Sequence, residues 1–222
     1  MSMKKYTTVI FDMDGTLLDT LADITDACNY ALTQSGYPAR TLEEVRSFVG
    51  NGLRRLMERA IPQGAENPDF EVAYESLLRY YLEHCRIKTG PYAGIPELLQ
   101  ALWQKGYRMA IVSNKADPAV KELKDVFFSQ YITVAIGESD HVRKKPAPDT
   151  VLQALKELDS QVEEAVYVGD SEVDRQTAAN TGMDCVSVTW GFRDKALLLS
   201  LAPAGIIDKP MELLSFLEKS EG

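Results

Sequence analysis

Short apolar runs alternate along the chain with stretches in which apolar residues recur every three or four positions. Tyr6-Thr7-Thr8-Val9-Ile10-Phe11 is β-branched and unbroken, the pattern of a strand buried on both faces. The runs 108–113, 132–136, 165–168 and 185–189 repeat it, and Gly205-Ile206-Ile207-Asp208 supplies a short sixth. Helical spacing falls between them. Ile95, Leu98, Leu99 and Leu102 share one face, closed by Gly106; Val120, Leu123 and Phe127 share another; Val151, Leu152 and Leu155 a third. This alternation predicts an α/β fold, a Rossmann-like parallel sheet with helices on both faces and right-handed crossovers. Function in such sheets gathers at the carboxyl ends of the strands.

One connection is far too long. Asp14 and Ser113 stand 99 positions apart, whereas a whole βαβ unit needs only about 30 residues. The excess reads as all-helical. Leu21, Ile24, Cys28 and Ala31 share a face, and Thr41-Leu42-Glu43-Glu44 has the form of a capping box. Leu53, Leu56 and Ala60 follow Gly50-Asn51-Gly52, and Phe70, Tyr74, Leu77, Leu78 and Tyr81 form a longer stripe. Gly90-Pro91-Tyr92-Ala93-Gly94 marks the return. The expected division is a core of residues 1–15 and 91–222, with a small all-α cap of residues 16–90 inserted after the first strand.

Composition narrows the possible partners. The 222 residues carry 24 Lys and Arg against 33 Asp and Glu, a net charge of −9. That balance disfavours nonspecific binding to nucleic acid or to an anionic membrane. Met1–Tyr6 has two lysines and no apolar leader core, and no apolar run has the length of a membrane span, so a cytoplasmic protein is expected. Cys28, Cys85 and Cys185 are widely spaced and fit a reduced compartment. With only His84 and His141 present, a histidine-rich zinc site or a Ser/His/Asp triad is a strained proposal. Nothing in the pattern sets an oligomeric state.

The chemistry stands at the strand ends. The first strand stops in Asp12-Met13-Asp14-Gly15-Thr16, and residues two apart can point into one crevice. The second ends in Ser113-Asn114. A loop carries Arg143-Lys144-Lys145-Pro146, where the proline favours Lys145 over Lys144. The fourth ends in Gly169-Asp170-Ser171-Glu172-Val173-Asp174. Taken alone, an aspartate pair at a strand end is a turn or an N-cap; four such segments together are not. If Asp12, Asp14, Asp170 and Asp174 converge, like charges about 4 Å apart repel by roughly 4 kcal/mol at an effective dielectric near 20. A cation must sit among them, or some must hold protons. Hard oxygen ligands, with no imidazole or thiolate nearby in sequence, suit Mg2+.

These four segments, in this order, resemble the motifs of the haloacid dehalogenase superfamily, and the strand pattern extends the likeness over nearly the whole chain. A second aspartate at position 14 is similar to the phosphohydrolases and phosphomutases of that superfamily, whose haloacid-cleaving branch lacks it. The helical insertion resembles the family's small α-helical cap. Val49-Gly50-Asn51-Gly52, Leu56, Glu58-Arg59-Ala60 and Ser113-Asn114-Lys115 resemble the phosphoglycolate phosphatase group. Val173 departs from the polar residue usual there.

The resemblance implies a set of roles. Asp12 would attack phosphorus and carry an aspartyl-phosphate, and Asp14 would be the acid and then the base. Mg2+ would be held by the Asp12 and Asp170 carboxylates and the Asp14 main-chain carbonyl. Ser113, the Asn114 N–H and Lys145 would bind the phosphate oxygens. Thr16, Ser171 and Asp174 would support them, Asp174 by orienting Lys145 or a metal-bound water. Gly50, Asn51 and Gly52 in the cap either contact the substrate or simply break a helix. Tyr74, Tyr81, Cys28, His84 and Cys85 read as structural.

The implied substrate is a small phosphorylated metabolite, 2-phosphoglycolate first. A pyrophosphatase or a sugar phosphomutase would use the same chemistry. A phosphonate-cleaving relative would need a cap lysine, and residues 20–87 contain none. A receiver domain orders its motifs differently, and a silent phospho-ligand-binding protein would not need every catalytic position filled.

Overall fold

The computed structural model describes residues 6–140 and 142–219; His141 and the ends of the chain lie outside the described residues. Contacts divide the chain into two units, residues 1–18 with 91–222 and residues 19–90. Strands β1 (Thr8–Phe11), β4 (Arg108–Ala116), β5 (Val134–Glu138), β6 (Ala165–Gly169), β7 (Asp184–Val188) and β8 (Gly205–Ile207) build the first unit. They form one parallel sheet in the order β5-β4-β1-β6-β7-β8. Helices α5 (Ile95–Gln104), α6 (Asp117–Phe127), α7 (Asp149–Glu157), α8 (Glu172–Thr181), α9 (Lys195–Ser200) and α10 (Glu212–Lys219) accompany them. The α/β class and the parallel sheet are therefore as the apolar pattern predicts. Two pieces, β2 (Leu18–Asp19) and β3 (Gly90–Pro91), pair in a separate two-stranded sheet where the chain crosses between units.

The unbroken apolar runs exist because both faces of the sheet are covered. Val9 and Phe11 of β1, Met109 and Ile111 of β4, and Val166 and Val168 of β6 pack with α5, α6 and α10. The alternate residues Ile10, Ala110, Val112 and Tyr167 pack with α7 and α8 on the other face. Full burial of each large apolar side chain contributes about 1.5–3 kcal/mol. Several details differ from the sequence pattern. Tyr6 and Thr7 precede β1, and β5 starts at Val134, not Ile132. Leu152 is 47% exposed and does not join the α7 core face, and Phe127 is only partly buried. Apolar spacing marks a helix face, but neighbouring strands decide how wide that face is.

β1 lies between β4 and β6, and their ends are in register. Phe11 pairs with Ile111 and with Val168. The residues that follow therefore emerge together at one edge. The chain runs outward from β1 to β4 and β5, then jumps back across β1 to β6. That reversal opens a crevice at the carboxyl end of β1.

The second unit is helical, with α1 (Leu21–Gln34), α2 (Leu42–Phe48), α3 (Leu53–Ala60) and α4 (Phe70–His84). α1 packs against α4, burying Ile24, Ala27, Cys28, Ala31 and Leu32 on one and Phe70, Ala73, Leu77 and Tyr81 on the other. α2 opens on the expected capping box: Glu44 N donates to Thr41 Oγ1 at 3.2 Å, and Thr41 N donates to Glu44 Oε2 at 2.7 Å. Cys28, Cys85 and Cys185 are buried free thiols. Among the described residues, no helix is long and apolar enough to cross a membrane.

Candidate active site

Asp12 follows β1 directly, and its N–H still donates to Val168 O of the neighbouring strand at 2.9 Å. The chain then turns tightly. Gly15 takes φ +86, and the N–H groups of Leu17 and Leu18 both donate to Met13 O. Glycine is required at 15 twice over. The backbone is left-handed there, and a methyl group would come within 2.5 Å of Asp170 Oδ2. This turn presents Asp12, Asp14 and Thr16 to the crevice edge beside Asp170, and Thr16 Oγ1 donates to Asp170 Oδ1 at 3.4 Å.

Lys145 is the pivot. It is 4% exposed, and its Nζ lies 2.8 Å from Asp12 Oδ1 and 2.7 Å from Asp174 Oδ1. Nζ also bonds the Tyr167 hydroxyl at 3.1 Å, which donates in turn to Asp174 Oδ1 at 3.0 Å. Asn114 holds the lysine by its backbone. Lys145 N donates to Asn114 Oδ1 at 2.7 Å, and Asn114 Nδ2 donates to Lys145 O at 3.0 Å. Asp174 sits in the first turn of α8, whose N-cap is Ser171, and accepts from Ser171 N at 3.1 Å and Ser171 Oγ at 2.6 Å. Ser113, on β4, is 2% exposed, and its Oγ accepts from Lys115 N at 3.2 Å. Lys115 Nζ lies 3.2 Å from Asp14 Oδ1.

The electrostatics follow from burial. Burial pushes the Asp12 carboxyl well above the usual range; Asp174 and Asp170 add to the rise, and Lys145 offsets part of it. Burial and then Asp174 push Asp170 up to about 7, against the Phe192 N–H and Arg193. Burial alone would lower Lys145, but Asp12 and Asp174 outweigh it and hold the ammonium charged. Burial, then Asp174, raises the Tyr167 phenol.

The chain matches the haloacid dehalogenase-like hydrolase family over residues 9–188. It belongs to that family. It is 31% identical to a phosphoglycolate phosphatase of Aquifex aeolicus, over 95% of this chain and 96% of that one. It is 30% identical to an N-acetylmuramic acid 6-phosphate phosphatase of Pseudomonas aeruginosa, over 96% and 95%. The crystal structure of a proposed phosphoglycolate phosphatase from Lactobacillus delbrueckii subsp. bulgaricus superposes with a TM-score of 0.92 at 38% identity, covering 96% of this chain and 98% of that one. These relatives place the hydrolase among the phosphoric monoester hydrolases.

A divalent ion fits the donor set of this hydrolase. Asp12, Asp170 and Asp174 each bring a carboxylate oxygen within 4.8 Å of the other two. Asp174 is already engaged by Lys145, Tyr167 and Ser171. Asp12 Oδ1 accepts from Met13 N and faces Lys145, while its Oδ2 takes no hydrogen bond among the described residues. Burial raises both the Asp12 and the Asp170 carboxyls, and a divalent ion between them would favour their charged forms.

Of the residues expected from sequence, Asp12, Asp14, Thr16, Ser113, Asn114, Lys145, Asp170, Ser171 and Asp174 all stand in this one region of the first unit. Gly50, Asn51 and Gly52 lie in the other unit, between α2 and α3, and both glycines have positive φ. Other residues of the site were not foreseen. Tyr167 reads in sequence as ordinary strand core, and its period-two position gives no sign that its hydroxyl meets a lysine. The segment after β7 is another omission. Phe192 N donates to Asp170 Oδ2 at 2.7 Å, Trp190 Nε1 donates to Thr16 O at 3.0 Å, and Arg193 pairs with Glu172 at 2.8 Å. Gly191 is the signal that could have found it. A methyl there would stand 2.3 Å from Asp170 Cβ and 2.4 Å from Gly15 O.

Proposed function

We propose that the hydrolase is a Mg2+-dependent phosphatase acting on a small phosphorylated metabolite, 2-phosphoglycolate first, through a phosphoryl group carried on Asp12. The observation that carries the reading is the convergence of Asp12, Asp170 and Asp174 on one lysine-bearing crevice. The Asp12 and Asp170 carboxylates and the Asp14 main-chain carbonyl would hold the ion. When bound, it neutralises carboxylate charge and the charge of the transferring phosphoryl group.

An Asp12 oxygen attacks phosphorus and the bond from phosphorus to the ester oxygen breaks. Asp14 gives its proton to the departing alkoxide. Water then attacks the phosphorus of the aspartyl-phosphate, Asp14 takes the water proton, and the bond to Asp12 breaks. Ester plus water thus become alcohol plus inorganic phosphate. Ser113, the Asn114 N–H and Lys145 bind the equatorial oxygens. Tyr167 and the Asn114 side chain keep Lys145 in place, and Phe192 N–H keeps Asp170 aimed. In this reading the helical unit sets which organic group is accepted, with Gly50, Asn51 and Gly52 as the residues responsible.

A sugar phosphate is the second reading, favoured by the likeness to the N-acetylmuramic acid 6-phosphate phosphatase. The test is phosphate release from a metabolite panel with Mg2+ and with EDTA. Turnover of 2-phosphoglycolate that EDTA abolishes and Mg2+ restores is expected. A panel in which a sugar phosphate is turned over and 2-phosphoglycolate is not would replace the substrate. EDTA-resistant turnover would overturn the metal.

A further inference from the structure

Lys115 follows the Ser113-Asn114 pair on β4, and the reaction above leaves it without a task. Its side chain is 3% exposed, and its Nζ lies 3.2 Å from Asp14 Oδ1. Asp14 is the group that meets the ester oxygen, so Lys115 places a positive charge on the leaving-group side of the site. Lys145, the other buried lysine of the site, is held on the nucleophile side by Asp12 and Asp174. The two ammonium groups bracket the acid–base carboxylate and the nucleophile.

An acid–base group stands about 3 Å from the oxygen it protonates. In a 2-phosphocarboxylate, the carboxylate carbon is two bonds from that oxygen, each about 1.5 Å long. A carboxylate attached so close to the ester oxygen falls within reach of an ammonium that itself touches Asp14. Charge makes the same demand. A carboxylate brought into a crevice that gathers Asp12, Asp170 and Asp174, in a chain of net charge −9, is repelled unless a cation stands beside it. Lys115 is the cation in that place.

We infer that Lys115 binds the substrate carboxylate and thereby selects phosphate esters that carry a carboxylate on the carbon next to the ester oxygen. This deepens the 2-phosphoglycolate reading and rests on it. Loss of a charge-assisted hydrogen bond to a carboxylate is worth about tenfold to a hundredfold.

The test compares kcat/KM for 2-phosphoglycolate with that for 2-hydroxyethyl phosphate, an analogue of the same length with an uncharged hydroxyl in place of the carboxylate, at saturating Mg2+. Any effect of Lys115 exerted through Asp14 is common to both esters and cancels in the ratio. Wild type prefers 2-phosphoglycolate, and Lys115→Met lowers the preference by about tenfold to a hundredfold. Lys115→Arg keeps most of it. Lys115→Gln keeps a donor without the charge and carries the same expectation as Lys115→Met, so it answers the question if the methionine variant does not fold. If Lys115→Met and Lys115→Gln slow both esters alike and leave the ratio unchanged, the inference is overturned while the 2-phosphoglycolate reading stands. If wild type itself shows no preference between the two esters, both fail together.

Discussion

Asp23 and Asp12 are both buried aspartates, one in each unit, and they are satisfied in opposite ways. Asp23 is 3% exposed and accepts from the backbone: Lys88 N reaches both its oxygens at 3.0 Å, and Thr89 N reaches Oδ2 at 2.9 Å. Its charge is spent on fixing the chain where it leaves the helical unit. Asp12 is 7% exposed and takes one backbone N–H, that of Met13; its remaining neighbours are titratable side chains, Lys145 among them. A carboxylate surrounded by backbone donors is complete as folded. One surrounded by other charges, with an oxygen left over, is complete only when something binds. Buried polarity alone does not mark a site; the kind of partner does.

Replacing Lys145 breaks this contrast most severely. Lys145→Met leaves Asp12 and Asp174 facing each other without their shared cation. Turnover falls by about 10²–10³, as for loss of one preorganised donor. Stability falls as well, by roughly 3–5 kcal/mol without metal. Kinetics and thermal melts on one preparation check both.

Asp23→Ala gives the opposite pattern. It strands the Lys88 and Thr89 N–H groups, and stability drops by about 2 kcal/mol. kcat at saturating substrate holds at the wild-type value. A large loss of kcat with an unchanged melt would place Asp23 in the chemistry and dissolve the comparison.

The smallest effect is a pH dependence. Asp170 is pushed up to about 7, above the value near 4 of a free carboxyl. Between those two values the folded chain holds a proton that the unfolded chain has released, so this group's contribution to stability is lost as pH rises through the window. A divalent ion replaces that proton. The rise in Tm on adding Mg2+ therefore grows from pH 5 to pH 8. Asp170→Asn, which takes away one of the two carboxylates meant for the ion, makes the rise smaller at every pH. A rise of equal size at every pH in wild type would contradict the account.

Much of the fold was legible because both-face burial writes itself into the sequence. Val9 and Phe11 face one layer and Ile10 the other, so the run from Val9 to Phe11 is apolar throughout. The carboxylates were legible because each follows such a run: Asp12 after β1, Asp170 after β6. What was hidden depends on register and on side-chain reach. That Asn114 would spend its amide on the Lys145 backbone, 31 positions away, follows from how β4 lies beside the loop after β5. Tyr167 had no separate signal, since a phenol in a strand is ordinary core until a lysine arrives at its hydroxyl. The 190–193 segment was missed because strand end β7 carries no acidic residue, and its direct bond to Asp170 comes from a backbone N–H.

The central claim is that Asp12 carries the phosphoryl group. It is tested most directly by acid-quenching the Mg2+-loaded enzyme during turnover of 2-phosphoglycolate, or of whichever phosphate ester the panel selects, and mapping peptides by mass. The account predicts one added phosphoryl group on the peptide bearing Asp12, absent from Asp12→Asn, which also releases no phosphate. Steady phosphate release by Asp12→Asn, or a phosphoryl group on another residue, would contradict it.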